Sequence, residues 1–393
     1  MRRSLMLVLG LLILLAAEIL RVYYIMPFPG SQHDNTIRLA YFLDKYIVWF
    51  RILGLVLVIP AAFYFISHSK TWKKILLGLV LAFYAFVFYM FNFRFLADKM
   101  FYQPKNKVLV NVETNSVDTN QLVIGAVING QAKAYPIQII GYHHQVQDTL
   151  GGEPIMVTYC TVCRTGRVFS PFIDGKYQHF RLVGMDHFNA MFEDEDTKSW
   201  WRQVTGEAIA GSSKGKKLTE LPSAQMRLGA WIRENPQTLI MQPDIIYVKR
   251  YADLQGYDSG TIDGSLEKRD SSSWALKSWV VGVVHQGSSK AYDWNELVKQ
   301  GIINDSFAHA PVVLVLENDG ATFHVWNRNL NGQTLSFEKN SQGKSFVDTN
   351  THSQWNWNGT CTDGPLKGSR LTPVQSYQEF WHSWKTFHPL TLR

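Results

Sequence analysis

The sequence predicts an α+β protein: three N-terminal transmembrane helices, then a β-rich extracytoplasmic region of two tandem, pseudo-symmetric repeats. Three observations carry this. Long apolar runs fill the first hundred residues. Short β-branched and aromatic runs, bounded by turn residues, fill the rest. Within that remainder, VIGAVINGQAKAY from Val123 matches VVGVVHQGSSKAY from Val280 at an offset of 157 residues (280 minus 123). The expected organisation is a membrane domain over 1–100, a first repeat over 105–245 and a second over 246–393.

A chain of 393 residues has room for a membrane segment and two ordinary domains. The first apolar run, LMLVLGLLILLAAEIL from Leu5, extends to about Met26. The others start at Tyr46 and Ile75, giving spans of about 5–26, 46–67 and 75–95, each near the ~20 residues needed to cross hydrocarbon. Arg2 and Arg3 resemble the start of a signal peptide. The length of the run, its Glu18 and Arg21, and the lack of a small-x-small cleavage site favour an uncleaved helix. Arg2 and Arg3, and Lys70, Lys73 and Lys74 after the second span, place those ends in the cytoplasm. The third span then exits outward, so the inner (cytoplasmic) membrane carries the helices and the rest lies in the periplasm. Glu18, Arg21 and Arg51 fall in or near apolar runs, as a Glu18–Arg21 pair one turn apart or as side chains snorkelling to the interface.

The formal net charge of +7 admits nucleic acid or an anionic lipid surface. No Lys/Arg run or nucleic-acid fold signature supports the first, and the basic residues flank apolar segments. The bilayer is the expected partner, nucleic acid is not, and a membrane-complex partner stays open.

The repeat extends beyond its first block. SWWRQVTGEAIAGSSKGKKL (199–218) resembles SQWNWNGTCTDGPLKGSRL (353–371), and Trp231 and Pro236 align with Trp384 and Pro389. LVIGAVI, KAYPI, EPIMVTY and GRVFSPF read as strands, and Asn129-Gly130 and Asn331-Gly332 as hairpin turns. Helices are expected at about Ala224–Asn235, Trp294–Gln300 and Tyr377–Thr386. The block of Ser199, Trp200, Trp201, Gly206, Gly211 and Gly215 reads as core packing and turn geometry ahead of a ligand groove, since the second copy keeps Trp355, Gly359, Gly364 and Gly368.

The order ING-x-AKAYP, HHQVQDTLGGEPI, VTYCTVC, DTKSWWRQVTGEAIAG and WIRENPQT resembles the bacterial domain-of-unknown-function family three-one-seven-nine, over roughly residues 105–393. His144 stands where that family has Glu, Gln147 where it has Asn and Thr161 where it has Pro. The resemblance implies architecture more than activity, and puts His143 at the position of the family's block histidine.

The chemistry gathers at VTYCTVCRTGRVF (157–169), which holds two of three cysteines, Cys160 and Cys163. A thioredoxin-type pair starts a helix, which lowers the attacking thiol's pKa. Here the surroundings read strand, tight turn, strand, the setting of a metal knuckle. Two thiolates are half of a tetrahedral site. His143 and His187 are the expected further ligands. Thiolate with imidazole outside the cytoplasm favours copper, with zinc as the alternative. Arg164, Arg167 and Arg202 could depress a thiol pKa or be ordinary solvated arginines. Cys361 reads as a small buried residue.

The function expected is a membrane-anchored extracytoplasmic metal-binding protein whose copper site serves redox chemistry or metal handling. A thiol–disulfide oxidoreductase using Cys160 and Cys163, and a non-catalytic accessory subunit of a membrane complex, are the alternatives. Whether it is an enzyme stays open. No Walker loop, dinucleotide fingerprint, His-Glu-x-x-His, c-type haem motif or nucleophile elbow is present.

Overall fold

The computed structural model describes residues 2–340 and 345–393. The chain divides into two compact units. The first comprises the residues up to Tyr102 with Gln178–Arg202 and Glu207–Lys217. The second comprises Gln103–Tyr177, Gln203–Gly206 and Leu218–Arg393. The first unit is therefore larger than the membrane domain expected over 1–100.

In the first unit, three helices are long and apolar enough to cross a membrane: Arg2–Tyr23, Ile47–His68 and Thr71–Arg94. Leu12, Val56, Ile59, Phe63, Phe83 and Phe86 are exposed along them, as an apolar solvent requires. Gly10 and Gly54 let the first two helices approach closely, because a Cβ on either would meet the other's carbonyl oxygen. Glu18 is fully buried. Its partners come from three helices, a wider network than the Glu18–Arg21 pair expected. Arg51 Nε donates to Glu18 Oε1 at 2.6 Å, Asn92 Nδ2 donates to Oε2 at 2.9 Å, and Arg21 lies 3.7 Å away. Asn92 sits in a π-helical turn, Met90–Arg94, that ends the third span. Such turns re-aim one side chain out of the α-helical register.

The same unit contains a four-stranded sheet of Ala208–Ala210, Trp200–Arg202, Asn189–Asp194 and Phe180–Asp186, in that order. Met185 N–H donates to the Ile25 carbonyl at 2.7 Å, and the Tyr41 ring meets Trp200 edge-on at 5.1 Å. Trp200 and Trp201 are buried, with Trp201 Nε1 donating to Asp194 at 2.8 Å, so this block packs a core.

The second unit is β-rich. One sheet orders Leu109–Val110, Leu239–Met241, Gln131–Pro136, Leu122–Ile128 and Ala224–Arg227. Another orders Glu220–Leu221, Thr165–Phe169, Glu153–Cys160 and Gln145–Leu150. Further sheets centre on Trp279–His285 and on Ala310–Leu316. Asn129 and Gly130 both have positive φ, the turn that suits a two-residue hairpin. The first and third expected helices are shorter than anticipated. Ala224–Arg227 and Ser376–Phe380 are strands, and the helices begin at Leu228 and Trp381. Both stretches pair with a neighbouring strand, Ala224–Arg227 against 122–125 and Ser376–Phe380 against 279–283. Tertiary pairing overrides local helix preference there. Trp294–Gln300 is helical as expected.

Gly125 lies beneath the Trp231 ring and Gly282 beneath the Trp384 ring. A side chain at either position meets indole carbons of a fully packed tryptophan. Gly282→Val is expected to cost about 1–3 kcal/mol by overpacking. The urea midpoint of tryptophan fluorescence reads this, and an unchanged midpoint would reject the packing argument.

Candidate functional site

The cysteine stretch forms the expected hairpin. Glu153–Cys160 pairs antiparallel with Thr165–Phe169, with Cys160 opposite Thr165. Residues 155–160 are all buried, which suits the near-continuous apolar run MVTYC. Residues 161–164 make the turn, and Arg164 closes it in the left-handed region at φ 54°. Cys160 and Cys163 are 0% exposed and are not joined in a disulfide. No helix begins at either cysteine.

The helix Ile137–His143 packs over this turn, with Gly141 facing Thr161 and Tyr159. Tyr159 N–H donates to the His144 carbonyl at 2.9 Å, which sets the two histidines beside the Cys160 end of the strand. His143 is buried, its Nε2 2.8 Å from the Tyr251 hydroxyl. His144 Nδ1 lies 3.2 Å from the Tyr159 carbonyl, and burial pushes its pKa down to about 4. His187 belongs to the first unit, where its Nδ1 is 2.6 Å from Asp186 Oδ1. Burial raises Asp186, but hydrogen bonding to His187 and the Arg202 charge outweigh it and hold the carboxyl below its usual range.

The arginines have structural partners. Arg164 is buried, donating to Gln378 Oε1 at 2.8 Å and to the carbonyls of Tyr257 and Asp258 at 3.1 Å. Its guanidinium lies 3.7 Å from the Trp279 ring centroid. Arg167 pairs with Glu379 at 2.6 Å, and Arg202 with Asp186 in the first unit.

Two residues that sequence reasoning missed reach the turn from more than a hundred residues away. Lys277 Nζ donates to the Val162 carbonyl at 2.7 Å and lies 3.2 Å from His382 Nε2. His382 Nε2 is 3.0 Å from the same carbonyl, between the two cysteines. Burial lowers the pKa of Lys277, and electrostatic interaction with Cys163 and then Cys160 opposes that fall. Burial, then the Lys277 charge, push His382 down to about 4. Phe380 N–H donates to the Cys163 carbonyl at 2.9 Å, which fixes the segment bearing His382 against the turn. Neither Lys277 nor His382 sits in a motif that would have marked it.

Among the described residues, Glu234, Glu317 and His324 form a group whose ligand atoms all lie within 4.8 Å of one another. The sequence reading did not single these residues out.

Three apolar helices joined to a β-rich region that holds a buried cysteine hairpin define a protein with candidate membrane spans and a folded domain attached to them. The chain belongs to the family described as Protein of unknown function (DUF3179), whose model matches residues 104–391. Comparison with curated proteins and with solved structures finds no match.

Proposed function

We propose that the cysteine turn is the working centre of a membrane-anchored extracytoplasmic protein, and that it holds a soft metal, copper ahead of zinc, for redox chemistry or metal handling. The observation that carries this is one turn that holds two buried, unbridged cysteines, with histidines from both ends of the domain on the elements packed against it. His143 arrives on the helix over the turn, and His382 contacts the carbonyl of Val162 between the cysteines. Cys160, Cys163 and His143 would hold the ion, with His382 as a further candidate ligand. Thiolates and imidazoles are the donor set of copper and zinc. Lys277 would offset thiolate charge before the ion binds. The ion would supply electron transfer or a site for metal exchange. Elemental analysis of the detergent-purified chain is the test. About one equivalent of metal is expected, lost in Cys160→Ser and Cys163→Ser and reduced in His382→Ala. A metal content unaltered by both cysteine substitutions ends this reading.

One observation favours thiol–disulfide exchange as a second reading. Lys277 Nζ donates to the carbonyl of Val162, between the two cysteines, and a cationic neighbour of this kind stabilises a thiolate. Complete burial of both cysteines argues the other way, because exchange requires an attacking sulfur that a partner can reach.

We also propose that residues 105–245 and 246–393 are duplicated copies. Matched side-chain arrangements support it. Lys133 and Tyr135 both donate to Asp148 Oδ2 at 2.8 Å; at the 157-residue offset, Lys290 lies 2.6 Å from Asp305 Oδ2 and Tyr292 donates to it at 2.8 Å. Trp231 Nε1 donates to Thr238, and Trp384 Nε1 to Thr391, both at 2.8 Å. Burial raises Asp148, but hydrogen bonds from Lys107, Lys133 and Tyr135 outweigh it and hold the carboxyl below its usual value. The stabilisation is therefore complete above the unfolded value near pH 4 and fades as pH falls through the lower folded value. Asp148→Asn should lower stability at pH 7 by about 1–3 kcal/mol and blunt the acid transition below pH 4. Equal acid sensitivity in both proteins would contradict this.

A further inference from the structure

We infer that Glu234, Glu317 and His324 form a second metal site, separate from the cysteine turn, which binds a zinc-class divalent cation and leaves one coordination position open to a cavity. Glu317 follows the strand Ala310–Leu316, and its N–H donates to the Thr322 carbonyl at 2.9 Å across a tight turn. His324 lies on the returning strand, Phe323–Asn327, and Glu234 ends the helix Leu228–Glu234. His324 Nε2 is 2.9 Å from Glu317 Oε1 and 3.7 Å from Glu234 Oε1. Tetrahedral bonds of about 2.0–2.1 Å set ligand atoms roughly 3.3 Å apart, midway between these two distances.

Two polar atoms here have no hydrogen-bond partner. Glu234 Oε1 is shut off from solvent and accepts no hydrogen bond, His324 Nε2 standing 3.7 Å away. An unserved carboxylate oxygen beside a second carboxylate and an imidazole is where a cation restores balance. Trp326 stacks on His324 with centroids 5.5 Å apart, is 6% exposed, and has an unpartnered Nε1–H. Arg233 Nη2 donates to both Glu317 oxygens at 2.7 Å. A carboxylate oxygen has two lone pairs, so Glu317 can accept from Arg233 and still ligate, and a clamped carboxylate is the usual outer support of a metal ligand. On binding, His324 would carry its proton on Nδ1 and offer Nε2 to the ion.

The group borders a cavity of about 410 Å³ lined by Trp231, Glu234, His324, Trp326, Asn358 and Arg370, among others. Three protein ligands, two of them lining this cavity, leave a fourth position for water or an oxygen ligand, the arrangement of zinc sites that bind substrate rather than brace a fold. The Trp326 Nε1–H and the exposed Arg370 suit an anionic oxygen, such as a carboxylate, at that position. The 157-residue offset also carries Cys160 onto Glu317, so in the duplication reading the two sites occupy corresponding turns with different donors.

The experiment is Zn²⁺ and Co²⁺ titration of the detergent-purified chain in a Cys160→Ser/Cys163→Ser background, which separates this site from the cysteine turn. About one equivalent should bind there. Co²⁺ should give visible d–d bands without the near-ultraviolet charge-transfer band of a thiolate. Glu234→Gln and His324→Ala should each weaken binding at least tenfold while keeping a cooperative unfolding transition. No binding in the cysteine-free background, or binding unchanged in both Glu234→Gln and His324→Ala, overturns the inference. Should either variant unfold, metal protection of Glu234 and His324 from carboxyl- and imidazole-directed labelling in the cysteine-free parent decides it. Equal labelling with and without Zn²⁺ overturns it.

Discussion

Glu379→Ala is expected to destabilise the second unit by roughly 3–5 kcal/mol, because it strands a buried arginine. Arg167 and Glu379 are 1% and 0% exposed, and Arg167 Nη2 donates to Glu379 Oε1 at 2.6 Å. Thr165 and Ser383 also donate to the same carboxylate, at 2.9 and 3.0 Å. Removing it leaves two hydroxyls facing the vacated space and a guanidinium whose other carboxylate, Glu220, is 3.6 Å away. Replacing both ions, as in Arg167→Met with Glu379→Leu, should recover most of the loss, since an apolar pair of similar volume carries no desolvation cost. Urea midpoints for the two single variants and the double variant make the measurement. A Glu379→Ala midpoint within error of the parent would show that the pair is not a stabilising contact. Arg167 and Thr165 lie on the strand that leaves the cysteine turn, so under the proposed metal reading the single variant would also hold an ion at that turn less tightly.

The second large effect is expected in the membrane segment. Glu18→Gln should cost about 3 kcal/mol, the scale of one uncompensated arginine at the centre of an inserted helix. Arg51 makes two hydrogen bonds to Glu18, at 2.6 and 3.0 Å, and one to Asn92 at 2.7 Å. Arg21 has Asp44 at 3.2 Å as a second partner, so Arg51 bears most of the loss. Adding Arg51→Leu should restore the thermal midpoint in detergent, measured by the monodisperse fraction on size exclusion. Loss of that fraction in the double variant as deep as in the single one would mean that Glu18 acts through something other than charge balance.

Several features were legible from sequence because they depend on local chemistry. Apolar length marks the three helices to within a few residues, since the hydrocarbon thickness fixes it. Asn-Gly marks two hairpins, because those residues accept positive φ. The cysteine turn reads as strand–turn–strand from its β-branched flanks. The starts of two helices were misjudged because strand pairing with 122–125 and 279–283 decides them, and that pairing is not local.

The site divides in the same way. The sequence by itself determined that Cys160 and Cys163 share one turn, because two intervening residues leave little choice. It also marked the three apolar helices that precede the β-rich region. Only the tertiary structure decided which other groups meet that turn. Lys277 arrives from a turn and His382 from a helix, each more than a hundred residues away along the chain. The same holds for Glu18, whose main partner is Arg51 on another helix rather than Arg21 one turn on. Side chains distant along the chain meet because sheets and helices pack their apolar faces, and the positions of polar groups follow from that packing.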